Sequence, residues 1–184
     1  AAVRRTSWAT AGLEGRPFSN AYEALFVALG ALLALDGRPF VLGGLAAVAC
    51  WCRFSFAFFA APLGAHCVAF AARPLGAVAR GAAGFAAVAV GLVALDTRYF
   101  ADVDGGVVVA PLRNLLFNSK AENLERFGLH RRSTHLLVNL PLLYLPVLGL
   151  ALKGAPRTAA ARTVVASALF GVLALSAAPH QEPR

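Results

Sequence analysis

The sequence predicts an all-helical integral membrane protein that crosses the bilayer several times, and its composition and long apolar runs lead to this prediction. Hydrophobic residues make up 59% of the 184 residues and charged residues 14%, against about 45–50% and about 25% in soluble domains. A folded chain of this size leaves roughly 30% of its surface in water, so a soluble domain cannot hide this much apolar surface. The low charge also excludes a disordered chain.

The net charge of +8, from 17 basic and 9 acidic residues, does not indicate a nucleic-acid partner. The basic residues are scattered between apolar runs instead of forming a stripe, and we interpret them as flanks of membrane segments. Cys50, Cys52 and Cys67 lie in apolar surroundings, which is typical of buried cysteines and not of a metal site. Because the sequence contains no methionine, we expect the chain to be an internal part of a longer protein.

Apolar runs and the residues that interrupt them predict one multi-pass transmembrane domain. Gly37 and Pro39 separate the first two runs, because glycine permits a turn and proline biases the preceding residue away from helix. The second run, interrupted at Arg53 and Pro62, is either one tilted helix or two helices. An arginine facing lipid costs at least about 2.5–3.5 kcal/mol, which favours a break or a watery cavity there. The predicted spans are residues 18–35, 40–72 (interrupted), 75–95, 134–152 and 163–178.

Residues 96–132 are the only extended polar region of the sequence and are predicted to form a functional loop. The turn around Lys153, Arg157 and Arg162 is short and basic, which favours the cytoplasmic side of the membrane. The polar loop and the terminal residues 180–184 then lie together on the opposite face.

Two polar clusters at the ends of spans, Asp96–Phe100 and His180–Arg184, are the candidate functional residues. Each is either an interfacial anchor or part of a site for an anionic, lipid-linked head group. Arginine and histidine neutralise a phosphate, while acids and amides hydrogen-bond sugar hydroxyls. The sequence contains none of the common nucleotide, hydrolase or metal-site motifs, and we expect no cofactor and no metal.

Five sequence elements, in the same order along nearly the whole chain, resemble motifs of one enzyme family. They are Arg-Pro-Phe-Ser-Asn-Ala-Tyr-Glu-Ala at residues 16–24, Arg-Phe-Ser-Phe at 53–56, Asp-Thr-Arg-Tyr-Phe at 96–100, the paired segments 111–118 and 123–139, and His-Gln-Glu-Pro-Arg at 180–184. This set is similar to the dolichol-phosphate-mannose-dependent mannosyltransferases of glycosyltransferase family 22. Residues 127–135 most resemble the members that add the fourth mannose of a glycosylphosphatidylinositol (GPI) precursor. Ala21, Phe117 and Phe127 depart from the usual serine and tyrosines of the family.

The resemblance implies a GT-C-type multi-pass helical fold in the endoplasmic reticulum membrane, of which this chain is a part. It implies transfer of an α-1,2-linked fourth mannose from dolichol-phosphate-mannose to the third mannose of a GPI-precursor glycolipid in the lumen. Two alternatives stay open. One is an N-glycan-precursor mannosyltransferase of the same family, and the other is a non-enzymatic multi-pass protein or transporter.

The resemblance also implies which residues face the substrates. An inverting transfer needs a carboxylate base, which the family pattern places upstream of Ala1, so we assign no catalytic residue here and expect the chain to be inactive alone. The residues expected to line the luminal donor site or shape the loop above it are Asp96, Tyr99, His180, Glu182, Arg184, Asn118, Gly128 and His130.

Overall fold

The described residues of the chain form a bundle of helices and contain no strand. The structure, a computed structural model, describes residues 19–101, 105–120 and 158–176. Its helices are α1 (Ser19–Leu35), α2 (Pro39–Cys52), α3 (Phe56–Ala69), α4 (Pro74–Tyr99), α5 (Ala110–Asn118) and α6 (Ala159–Ser176). The predicted all-helical class is confirmed. The predicted span at 134–152 lies outside the described residues.

Prolines and a glycine set the boundaries of the first helices. Pro39 and Pro74 stand in the first turn of α2 and α4, where the missing N–H costs no helical hydrogen bond. Gly37 adopts a positive φ of 65°, a conformation that other residues rarely adopt. The chain therefore reverses direction within three residues, and α2 runs back along α1.

The apolar run at residues 40–72 is two helices in the structure. α2 ends at Cys52, α3 begins at Phe56, and Arg53 between them is extended, with φ −161° and ψ 110°. Pro62 lies inside α3 without ending it. The break places Arg53 at the end of a helix instead of in the middle of a lipid-facing one, which lowers the cost of its charge.

The contacts between helices fix their directions. α1 and α3 run parallel, because the Phe26 and Phe56 rings meet edge to face at 6.2 Å near one end and the Cys67 thiol donates to the Ala34 carbonyl at 3.6 Å near the other. Ala34, Leu42, Leu63 and Cys67 form the buried core between these helices and α2. α1 and α3 therefore run in one direction and α2 runs between them in the opposite one.

The pair α2 and α4 makes the closest helix contact among the described residues. A Cβ atom added at Gly43 would overlap the Gly81 carbonyl, and one added at Gly84 would overlap the Phe40 carbonyl. The two backbones therefore touch without side chains between them, as small residues allow in membrane helices. Because Phe40 lies against Gly84 while Trp51 reaches Asp96, α2 and α4 run parallel.

α6 packs against α3 in the antiparallel direction. The Ser167 hydroxyl donates to the Phe59 carbonyl at 2.6 Å, and His66 Nδ1 forms a 2.7 Å hydrogen bond with Thr163 Oγ1. From Phe59 to His66 on α3, the contacting residue on α6 goes from Ser167 back to Thr163. Ser176, the last residue of α6, is therefore at the same end of the bundle as the start of α3.

These directions give the bundle two ends, which we name by one residue each. The Asp96 end contains the start of α1, the break between α2 and α3, and the last turns of α4 and α6. The Arg73 end contains the two connections at residues 36–38 and 70–73 and the start of α6. α5 begins at the Asp96 end, where its first residue bonds to Asp96.

Two of the described helices, α4 and α6, are long and apolar enough to cross a membrane. The 26 residues of α4 extend about 39 Å, more than the roughly 30 Å of a hydrocarbon core. Only 6% of its most apolar window is buried among the described residues, whereas the core helix of a soluble protein is mostly buried. The shorter apolar helices are Tyr22–Leu35, α2 and α3.

The polar region expected as a loop at residues 96–132 is partly helical. α4 continues through Asp96 to Tyr99, one turn beyond the predicted end of its span, and α5 occupies Ala110–Asn118. The apolar pattern marks where a helix leaves the hydrocarbon, whereas the backbone hydrogen bonds of a helix can continue into the polar interface.

Candidate functional site

Asp96 joins three helices at the Asp96 end of the bundle. Its Oδ2 accepts a 2.8 Å hydrogen bond from the Trp51 indole N–H of α2 and a 3.0 Å bond from the backbone N–H of Ala110. The first N–H groups of a helix have no partner inside it, and a carboxylate is favoured at that positive end. Asp96 therefore caps α5 from α4 while it fixes the end of α2. We name these three residues, with Thr97 and Val108, the Asp96 cluster.

Thr97 extends this arrangement to the segment before α5. Its Oγ1 accepts a 3.0 Å hydrogen bond from the backbone N–H of Val108, and the Val108 side chain is buried with 1% exposure. Pro111 stands in the first turn of α5, where its missing N–H leaves no helical bond unmade. The return of the chain from α4 to α5 is thus held by two consecutive side chains of α4.

Tyr99 lies three residues after Asp96 on the same side of α4, and its side chain is 81% exposed. Its ring packs edge to face on Phe100 at 4.8 Å, which orients the phenol at the surface. A phenol both donates and accepts hydrogen bonds. Asp96 uses its carboxylate for hydrogen bonds inside the bundle, whereas the exposed Tyr99 hydroxyl is available to a partner outside it.

Asn118 ends α5 and lies away from the Asp96 cluster. Its amide N–H donates to the Asn114 carbonyl at 2.8 Å and to the Asn114 side-chain oxygen at 2.5 Å. The nine residues of α5 span about 13 Å, so Asn118 and Asp96 are at opposite ends of this helix. The structure brings Asp96 and Tyr99 together and positions Asn118 through α5.

A second polar group at the Asp96 end contains Glu23, Arg53 and Ser55, which we name the Arg53 triad. Arg53 Nε lies 3.3 Å from Glu23 Oε2 and donates to Ser55 Oγ at 3.0 Å, while the Ser55 hydroxyl donates to Glu23 Oε1 at 2.6 Å. The side chains of Glu23 and Arg53 are 11% and 28% exposed, and Ser55 is buried. The triad ties α1, near its start, to the break between α2 and α3.

The Arg53 triad and Trp51 are functional-site candidates that the sequence motifs alone did not predict. Glu23 and Arg53 stand in two of the five motif elements, but 30 positions separate them in the chain. One signal was present in the sequence: an arginine inside an apolar run is costly unless it is paired. This cost predicts an acidic partner at the same membrane depth on a neighbouring helix. Trp51 carried no signal beyond its place near the end of a run.

Five of the predicted site residues lie outside the described residues. They are Gly128, His130, His180, Glu182 and Arg184. Of the described chain, α6 ends at Ser176 at the Asp96 end.

The described residues contain no group of three or more histidine, cysteine, aspartate and glutamate side chains suited to a metal ion. The three cysteines are free thiols on α2 and α3. What the Asp96 end offers is a set of hydrogen-bonded carboxylates, the partly exposed Arg53 and the exposed phenol of Tyr99 at the surface of an apolar bundle. This chemistry suits a polar head group carried on a lipid.

Comparison with known proteins places the chain in a sequence family. The sequence model of the Alg9-like mannosyltransferase family matches residues 2–184. Among curated proteins, the chain is 34% identical over 200 residues to a GPI mannosyltransferase 4 of Emericella nidulans, covering 97% of this chain and 37% of that protein. It is 33% identical over 195 residues to a GPI mannosyltransferase 4 of Eremothecium gossypii, covering 97% of this chain and 38% of that one.

A shorter match of 111 residues at 34% identity relates the chain to a GPI mannosyltransferase 4 of Debaryomyces hansenii, covering 55% of this chain and 21% of that protein. The chain thus spans less than two fifths of the length of these curated relatives. No solved structure matches it.

Proposed function

The chain belongs to the Alg9-like mannosyltransferase family, and we propose from this membership that it is part of a GPI mannosyltransferase of the endoplasmic reticulum membrane. The reaction is transfer of an α-1,2-linked fourth mannose from dolichol-phosphate-mannose to the third mannose of a GPI precursor. The observation that carries the proposal is the 34% and 33% identity to two relatives named GPI mannosyltransferase 4 over 97% of this chain.

The physical setting of the Asp96 end supports a lipid-linked donor and acceptor. Both substrates carry sugars on a lipid, so the transfer takes place where a hydrocarbon region meets water. α4 passes from the apolar bundle into this boundary at Asp96, and the exposed Tyr99 follows one turn later. The Asp96 end is therefore assigned to the luminal face.

The proposed roles of the site residues differ in kind. Asp96 is a positioning residue, because its two described hydrogen bonds come from the Trp51 indole and the Ala110 N–H. Asn118 is placed by α5. Tyr99 has the exposed hydroxyl that suits contact with a sugar. Of the residues outside the described ranges, Gly128 and His130 shape the loop above the site, and His180, Glu182 and Arg184 line it. No catalytic base is assigned to this chain.

The test is complementation in cells that lack the fourth-mannose transferase. The complete gene product that contains this chain is expressed there, and radiolabelled GPI lipids are separated by size. The expected result is conversion of the accumulated three-mannose lipid to a four-mannose lipid, and microsomes from these cells transfer mannose from labelled dolichol-phosphate-mannose.

Two other outcomes would replace the proposal. Repair of truncated dolichol-linked oligosaccharides, in cells that lack an N-glycan-precursor mannosyltransferase, would assign the protein to that branch of the family. No transfer to either glycolipid, by protein shown to reach the membrane, would remove the mannosyltransferase activity.

A further inference from the structure

A cavity of about 430 Å³ opens at the Arg73 end of the bundle, opposite the Asp96 end. It lies where α1 and α3 end and α2 and α4 begin, and residues of the connections at 36–38 and 70–73 contribute to its wall. Its volume falls within the roughly 300–1,000 Å³ typical of small-molecule sites. We name it the Arg73 cavity.

Basic side chains dominate the charged lining of the Arg73 cavity. Arg73 precedes α4 and Arg80 follows seven residues later, two helical turns on and hence on the same face. Both side chains are exposed. Arg80 Nε donates to the Gly76 carbonyl at 3.2 Å, which steadies the guanidinium and leaves its Nη groups as donors for a ligand.

The one acid in the lining does not offset both arginines. Asp36 Oδ2 lies 3.8 Å from Arg38 Nε in an exposed pair, so its charge is shared with a third arginine. His66, also in the lining, is held by its bond to Thr163 and by contact with the Phe70 ring at 4.5 Å. The first turn of α4 adds the partial positive charge of a helix start. The cavity is therefore suited to an anion.

The rest of the lining is apolar. Leu35, Phe70 and Ala77 contribute to the wall, and Phe70 keeps 68% of its surface exposed. An anion that is small and fully hydrated gains nothing from these groups. A phosphate attached to a glycerol and acyl chains matches both parts, since its charge meets the arginines and its lipid portion meets the apolar wall.

The position of the cavity along α4 separates it from the proposed sugar-transfer site. The 23 residues from Arg73 to Asp96 correspond to about 35 Å of helix, against a hydrocarbon core of about 30 Å. A ligand in the cavity is therefore at the head-group level of the leaflet opposite the Asp96 end. Basic pockets between membrane helices bind lipid head groups in this way.

We propose that the Arg73 cavity binds the phosphate head group of an anionic phospholipid from the leaflet opposite the Asp96 end. Arg73 and Arg80 contact the phosphate, and the apolar wall of Leu35 and Phe70 receives the start of the acyl chains. This site is separate from the donor and acceptor sites of the proposed reaction and stands whether or not that reaction is confirmed.

The experiment uses the complete membrane protein in nanodiscs of phosphatidylcholine, with and without phosphatidylinositol, and native mass spectrometry of the lipids that remain bound. We expect one phosphatidylinositol to be retained in preference to phosphatidylcholine. The double variant Arg73→Gln/Arg80→Gln should reduce its retention about tenfold, from the loss of charge-assisted hydrogen bonds. Arg73→Lys/Arg80→Lys keeps the charges and should keep most of the preference.

The matched control is Arg162→Gln, because Arg162 is an exposed arginine on α6 at the same end of the bundle that does not line the cavity. It should retain phosphatidylinositol like the unmodified protein. Equal retention of the two lipids would overturn the proposal, and so would full retention by Arg73→Gln/Arg80→Gln. Inorganic phosphate that displaces phosphatidylinositol at equal concentration would show a free-anion site and overturn the lipid assignment.

Discussion

The helix pair α2 and α4 is joined differently at the two ends of the bundle. Near the Arg73 end, Gly84 meets the Phe40 carbonyl and the two backbones touch. At the Asp96 end, the helices are joined by a hydrogen bond between Trp51 and Asp96. The first contact depends on the absence of side chains, and the second depends on two specific side chains. The two ends should therefore be destabilised by different kinds of substitution.

The polar residues at the two ends also differ in how they are used. At the Asp96 end, Glu23 and Asp96 each bond to side chains or backbone of another part of the bundle. At the Arg73 end, Asp36 forms only an exposed, 3.8 Å pair with its near neighbour Arg38 among the bonds described. Charge therefore holds helices together at one end and surrounds a cavity at the other.

The largest effect is expected from Gly84→Ala. The added Cβ overlaps the Phe40 carbonyl, and a backbone cannot yield as a side chain can, so we expect a loss of about 3 kcal/mol of stability from overpacking. The measurement is the thermal unfolding of the purified membrane protein in detergent. The matched control is Gly91→Ala on the same helix, where nothing lies within 4 Å of the added atom.

At Gly91 the change should be neutral or stabilising, since alanine favours helix over glycine by about 1 kcal/mol. Equal effects at Gly84 and Gly91 would show that the backbones of α2 and α4 do not touch.

The next effect is expected from Arg53→Ala, which leaves the Glu23 carboxylate 11% exposed without its cation. Removing one partner of a fully buried pair costs about 3–5 kcal/mol, and the partial exposure of Arg53 lowers our expectation to about 2 kcal/mol. Chemical denaturation measures it. The double variant Glu23→Gln/Arg53→Ala should lose less than the sum of the single changes Glu23→Gln and Arg53→Ala, and strict additivity would mean that the pair does not act as a unit.

A smaller effect, about 1 kcal/mol per lost hydrogen bond, is expected from Asp96→Asn and from Trp51→Phe. Both weaken the Asp96 cluster, so both should lower stability and mannose transfer while leaving membrane insertion intact. Transfer is measured in microsomes per amount of folded protein.

Comparing mannose transfer by Asp96→Asn and Trp51→Phe separates a positioning role of Asp96 from direct contact with substrate. If Asp96→Asn abolishes transfer while Trp51→Phe leaves it unchanged, Asp96 contacts substrate and is not the positioning residue that we propose. Unchanged transfer in both variants would make the cluster an interfacial anchor alone.

The smallest effect is expected from Arg38→Gln. The pair with Asp36 is exposed on both sides, 64% and 63%, and such pairs contribute below about 0.5 kcal/mol in most cases. The unfolding temperature should therefore stay within the error of the unmodified protein. A loss as large as that of Arg53→Ala would contradict the difference in charge use between the two ends.

Part of the fold follows from local sequence alone. The all-helical class comes from composition, and the turn at Gly37 and Pro39 comes from residues that act on their own backbone. The end of α4 is less accessible to sequence, because helical hydrogen bonds carry the chain through Asp96 to Tyr99 after the apolar pattern has ended. The start of α5 is hard to predict for a related reason, since the carboxylate that caps it belongs to Asp96, fourteen positions earlier.

The candidate site shows the same division. Asp96 and Tyr99 could be selected from the sequence because they follow an apolar run, but their different uses could not, because these depend on what Trp51 and Ala110 contribute from other helices. The Arg53 triad was not foreseen for the same reason. Its members stand in separate motif elements and meet only because α1 and α3 run parallel.

The sequence by itself determined that this chain is a helical membrane protein of a mannosyltransferase family, because apolar content, turn residues and motif order are properties of short segments. The tertiary structure alone decided that α2 and α4 touch through glycines, that Glu23 pairs with Arg53, and that arginines surround a cavity at the end opposite Asp96. These features depend on which faces of distant helices meet, and that is set by packing over the whole bundle.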